Sequence, residues 1–166
     1  MGKVQEAFGN GRPGAVSRSI DDIIISVRNA SQEDIPFGKP VYLTDGGAEP
    51  FDLNNPQEFT SFLGFTVRVA DKTPDTYPQG QFSDPPEGVW HPGDPMEVLV
   101  RGSITIPLAV TGTKGGKVYV RKSDGKLTTS AGTAGSTIQL ENVRVRTPRN
   151  NWSGCCEAVV LNRNIF

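Results

Sequence analysis

The chain has 166 residues and a net charge of −1, from 17 basic and 18 acidic side chains. That length fits a single domain burying about 70% of its unfolded surface, and the charge balance offers no concentrated basic face for nucleic acid. No apolar run approaches the ~18 residues of a membrane span, while 19 glycines and 13 prolines recur between short apolar runs, the rhythm of a β-sandwich or barrel.

Met1 to Glu6 has no apolar core for a signal peptide, and Glu6 stands where a myristoylation motif needs Ser or Thr. The expectation is a protein made and kept in a cytoplasm unless lysis releases it. Residues 1–19 carry Gly2, Gly9, Gly11, Pro13 and Gly14 with few apolar side chains. Such a segment cannot bury enough surface to offset its ordering entropy, so it reads as a flexible N-terminal arm before a single β-domain over 20–166. Gly9 to Gly14 matches G-x-G-x-x-G. A dinucleotide site needs a strand before that motif and a helix after it, and neither has room or pattern here.

Ile20 to Val27 is the first predicted strand, with Ile23, Ile24 and Ile25 apolar on both faces and hence interior. Asn29-Ala30-Ser31 fits a glycosylation pattern and reads as polar loop. A short strand follows at Val41 to Leu43, then a turn at Asp45-Gly46-Gly47. Residues 48–60 read as loop, with one helical turn at Asn55 to Phe59 capped by Asn55. Phe62 to Ala70 is a strong strand. Asp71 to Pro95 is a long segment with six prolines and, between them, Tyr77, Phe82 and Trp90. Loops of that length are uncommon in compact domains and usually functional.

Pro92 to Leu108 is a turn followed by the longest strand-like run. Met96, Val98 and Val100 alternate with Glu97, Leu99 and Arg101, and Ile104 and Ile106 are expected to continue the first face. Gly102 between them predicts a bulge or close approach that bends the strand between two sheets. Lys117 to Arg121, an Asp124-Gly125 hairpin turn and Leu127 to Thr129 come next. Two further strands, Thr137 to Leu140 and Val143 to Arg146, put Arg144 and Arg146 toward solvent or a partner. The last strand runs from about Glu157 to Asn162. Cys155 and Cys156 are adjacent, so alternation predicts one thiol buried and one outside, both reduced.

Catalytic chemistry finds little support. A triad must use His91, the sole histidine, which sits in a Pro-Gly turn. No Gly-x-Ser-x-Gly occurs. His91 and two adjacent cysteines are too few for an ordinary zinc site, and Asp71, Asp75, Asp84 and Asp94 match no calcium-loop spacing. The reading is a non-enzyme without cofactor or metal.

Several segments in order resemble the structural cement, or decoration, proteins of tailed-bacteriophage capsids. They are Gly11-Arg12-Pro13-Gly14, Ile35-Pro36-Phe37-Gly38-Lys39-Pro40-Val41, Phe62-Leu63-Gly64-Phe65-Thr66-Val67-Arg68, Pro92 through Ile106, and Gly116-Lys117-Val118-Tyr119-Val120. The proline-rich insert before Pro92 and the cysteine pair depart from the pattern. The resemblance implies an all-β, jelly-roll-like sandwich or barrel that binds the outside of a shell of major capsid protein as a dimer or trimer, with no nucleic-acid or membrane partner. On that footing Phe8, Arg12 and Arg18 of the arm are candidate shell contacts, aromatic and arginine side chains being favoured at interfaces. Tyr77 and Trp90 are candidates for contacts with the shell or within the oligomer. The competing reading is a carbohydrate- or receptor-binding β-domain of a tail fibre, with Tyr77, Trp90 and Trp152 as platforms.

Overall fold

The computed structural model describes residues 12–52, 61–69, 88–149 and 154–162, and of 18–20 the backbone alone. Among the described residues there is no α-helix. The strands are β1 (Val16–Arg28), β2 (Ile35–Pro36), β3 (Pro40–Thr44), β4 (Gly47–Pro50), β5 (Phe62–Thr66), β6 (Val89–Trp90), β7 (Pro95–Pro107), β8 (Lys117–Arg121), β9 (Leu127–Thr128), β10 (Thr137–Thr147) and β11 (Cys155–Val160). One large sheet runs β4-β3-β5-β7-β11-β10-β8-β9, with β1 also on β7, and β2 pairs with β6 apart from it.

Strand β7 is the hub. Leu99 lies between Ile24 of β1 and Phe65 of β5. Further along, Ile104 lies between Val16 of β1 and Ala158 of β11. One edge of β7 therefore keeps β1 while the other passes from β5 to β11. The change falls at Gly102, at φ 123°. A Cβ there would stand 2.1 Å from Asp22 Oδ1, so glycine is required by both conformation and space. The pairing of β1 with β7 slips register between Arg18 and Ile23.

The expected bulge at Gly102 has a consequence that the alternation alone concealed. Met96, Val98 and Val100 pack in one core with Ile35, Phe37 and Trp90. Ile104 and Ile106 join the other core, with Leu99, Phe62 and Val143. They do not continue the first face, because an irregular residue in a strand reverses the faces of all that follow. Both faces of β7 are thus buried from Val98 to Val100 and again from Ser103 to Ile106. The first core is enclosed by a half-barrel, since β4 returns to the end of β1. Asn29 bridges Ala48, and Ala30 N donates to Ala48 O at 3.0 Å.

Other expectations shift. Residues 12–19 do not lie outside the domain: Val16 already opens β1, so the arm boundary at 19 falls inside a strand. Ile24 is 41% exposed rather than interior, because β1 lies at the margin of the sheet and turns alternate residues outward. The strands predicted at 137–140 and 143–146 are one strand, β10, kinked where Asn142 adopts φ 59°. Strand β4 forms where a loop was expected, pairing antiparallel with β3 across the Asp45-Gly46 turn. Both cysteines are buried, because β11 is covered on both faces of the sheet. The predicted helical turn at 55–59 and residues 71–87 of the long loop lie outside the described residues.

Candidate functional site

Four of the sequence segments that carry the resemblance meet in space, around the turn at Arg12 to Gly14. Arg12 to Gly14 form a turn closed by Ala15 N donating to Arg12 O at 3.1 Å. Gly14 N then donates to Thr105 O, and Arg68 N donates to Gly14 O, each at 2.8 Å. Thr105 N donates to Ala15 O at 2.9 Å. The turn is stitched to β7 on one side and to the end of β5 on the other.

Gly38 faces it from the β2–β3 connection. Gly14 and Gly38 both have positive φ, 77° and 73°. A Cβ on Gly14 would meet Phe37 Cβ at 2.7 Å, and one on Gly38 would meet Gly14 N at 2.8 Å. Backbone lies directly on backbone here, which is why glycine stands at both places. Thr66 secures the second loop. Its Oγ1 donates to Pro36 O at 2.8 Å and accepts from Lys39 N at 3.0 Å, while Gly38 N donates to Thr66 O.

Arg68 spans the two loops. Its Nε donates to Pro13 O at 3.2 Å, and its guanidinium lies 5.1 Å from the centre of the Phe37 ring, a cation–π distance. Burial, with the Arg12 charge beside it, lowers the Arg68 pKa from its usual value, and Cys155 acts in the opposite direction. Phe37 in turn meets Trp90 edge to face at 6.1 Å. Trp90 is 3% exposed, with Nε1 donating to Val67 O at 3.3 Å. The sequence offered Trp90 as a partner contact. The structure corrects this: the ring belongs to the core, and it cannot serve as a glycan platform either.

The remaining candidates fall in different places. Arg12 is exposed at the root of the arm. The backbone of Arg18 lies in β1 opposite Ser103. Phe8 and Tyr77 lie outside the described residues, as does Trp152. The anchor itself, Gly14, Phe37, Gly38 and Arg68, was quoted segment by segment without its convergence being legible. The signal was there as glycine beside proline in Arg12-Pro13-Gly14 and again in Phe37-Gly38-Lys39-Pro40.

The chemically active side chains are tied to structural tasks. His91 Nδ1 lies 2.7 Å from Asp34 Oδ1, and His91 N donates to Asp94 Oδ2 within the turn. Asn29 of the glycosylation pattern is buried, with Nδ2 donating to Glu33 O and Trp90 O and Oδ1 accepting from Ser31. It holds a loop to β6 rather than lying in open loop. Burial, reinforced by Cys155, pushes the Cys156 thiol up to about 12, which keeps it protonated and unreactive. Among the described residues no three His, Cys, Asp or Glu side chains gather as a metal site would require.

The comparisons with known proteins agree with the fold and the order of segments. No curated protein matches the sequence. A chain in the solved structure described as "The capsid of Myoviridae Phage XM1" superposes with a TM-score of 0.68 at 16% identity, covering 93% of this chain and 92% of that one. The model of the family described as structural cement protein (E217 gp24/Pam3 gp6) matches residues 2–159. With all but the two ends of the sequence matched, the chain belongs to the phage structural cement protein family and has its role in the capsid.

Proposed function

We propose that this protein sits on the outer surface of a tailed-phage shell, as a dimer or trimer, and ties together neighbouring subunits of the major capsid protein without catalysing a reaction. It is made in the host cytoplasm and ends in the virion. Its partners are proteins, not nucleic acid or membrane, in keeping with a net charge of −1. The observation that carries this reading is the family match over residues 2–159. The physical logic is direct. Packed DNA pushes shell subunits apart, and a small protein touching two or three of them adds interface where they would separate. Modest contacts to several neighbours reinforce one another through effective concentration.

The N-terminal residues act as a strap. Residues 1–11, with Phe8, lie along a neighbouring subunit, while Arg12, Arg18 and Tyr77 contribute contacts to the shell or to another copy. The anchor at Gly14 supports this reading, because a strap transmits load only if its root is held. Truncation tests it, and the cut must stop before Arg12, since Gly14 and Val16 belong to the folded domain. A variant lacking residues 2–10 is expected to melt at the wild-type temperature and to lose about tenfold or more in affinity for undecorated shells, equivalent to about 1.4 kcal/mol. Undiminished binding would remove the strap from the account.

A further inference from the structure

Of the clefts among the described residues, one is lined by cations over an apolar floor. It has a volume of about 500 Å³ and lies between the β2–β3 connection, the end of β7 and the β8–β9 hairpin. Its floor is apolar, from Pro40, Leu108 and Leu127, and its rim carries Lys39, Arg121, Lys126 and Arg149, with no carboxylate among the lining residues. Four cations thus gather around one opening, with Asp124, in the β8–β9 hairpin, the acid beside them.

Of those four, only Arg121 is ion-paired, and the same carboxylate also lies within electrostatic reach of Lys126. Arg121 Nε and Nη2 donate to Asp124 at 3.1 and 2.5 Å, and that pairing holds the Asp124 carboxyl below its usual range. No ion pair joins Lys39, Lys126 or Arg149 to a carboxylate among the described residues. Arg149 Nε is moreover buried without an acceptor, its guanidinium lying against Gly154. A carboxylate that reaches the outer guanidinium nitrogens of Arg149 would pair with a charge that no acid of the described residues neutralises.

The cleft also adjoins the arm. Lys39 follows Gly38, whose backbone rests on Pro13 and Gly14, so the turn at Arg12 to Gly14 lies beside the basic rim. A single short opening with an apolar floor suits a few residues of extended peptide. Nucleic acid would need a much longer run of cations.

Resting on the cement reading, we propose that this cleft receives an acidic, partly apolar segment of the shell protein. Its carboxylates would pair with Lys39, Lys126 and Arg149 while its apolar side chains lie on Leu108 and Leu127. The arm and the cleft then hold the shell from adjoining points on one side of the domain.

The test pairs two measurements on the full chain. In the first, wild-type protein and the variant Lys39→Glu/Lys126→Glu are sedimented with undecorated shells at low and high salt. The proposal predicts at least a tenfold loss of affinity for the variant, recovered by Lys39→Arg/Lys126→Arg, and a weaker salt dependence. In the second, amide shifts of labelled protein are followed as the peptide acetyl-Asp-Leu-Asp-Glu-Leu-Asp-amide is added, with its Asn/Gln counterpart as control. Saturable shifts centred on Lys39, Leu108, Lys126 and Gly154 are expected with the acidic peptide alone, and lost in the charge-reversed variant. If wild type binds shells and the variant binds them equally well, the cleft proposal is overturned while the cement reading stands. Loss of self-association with shell binding intact would assign the cleft to a second copy and overturn it too. Should wild type fail to bind shells, the cement reading falls, and the peptide titration decides the cleft separately: localised saturable shifts uphold an acidic-peptide site, and their absence ends it.

Discussion

Gly14 and Gly38 show what a single residue contributes here, and how far a sequence discloses it. Each could be read as turn punctuation from its neighbouring proline. That they rest on each other could not, because the contact joins segments separated by β1 and depends on the path between them. The cysteine pair is the reverse case, where a sound local rule left one thiol outside that the fold buries. Alternation correctly set Cys155 and Cys156 on opposite faces of β11, but β11 has cover on both faces, so both thiols are buried. That burial makes a pH prediction. The Cys156 thiol holds its proton up to about 12 in the folded state, whereas an unfolded thiol releases it near about 8.5. The folded state therefore binds more protons in that interval. This contribution is fully present below about pH 8.5 and is lost as pH rises toward the folded value. Urea unfolding from pH 8 to 10 should show stability falling with pH, and falling less steeply in Cys156→Ala whatever that variant's absolute stability. Equal slopes would mean that the thiol ionises as readily folded as unfolded.

At the scale of the element, strands with clear alternation were legible and their phase was not. Lys117–Arg121 is the strand that the sequence predicts, residue for residue. Strand β7 was found at nearly its full length, yet Gly102 moves Ile104 and Ile106 to the second core, and no count of alternation across a bulge reveals that. Strand β4 escaped because Gly47-Ala48-Glu49-Pro50 carries no apolar alternation; it forms because β3 and the end of β1 offer it partners. The shortest strand pair, β2 with β6, matters out of proportion to its length, since Ile35 pairs with Trp90 and brings the indole onto Phe37 beneath the arm's root. Trp90→Ala should accordingly cost about 3–5 kcal/mol in urea unfolding, the range for truncating a buried large aromatic. A loss below about 1 kcal/mol would be the behaviour of a surface partner contact and would contradict the packing described here.

For the whole molecule, one curled sheet carries two buried cores. Its capsid role follows from the family match and the ordered segments that carry it; the N-terminal root and the basic cleft are the places proposed for its hold on the shell. Composition and spacing made the all-β class legible, and the order of segments pointed to the family. The surface was far less legible, because a cationic rim drawn from Lys39, Lys126 and Arg149 exists only once β2–β3, β8–β9 and the chain after β10 are folded together. The most direct measurement is the disruption temperature of undecorated shells heated with increasing amounts of the purified protein. The account predicts saturable binding at a fixed ratio to the major capsid protein, with the disruption temperature rising until the sites are full. Shells that break at the same temperature with and without saturating bound protein would contradict the claim that it acts as cement.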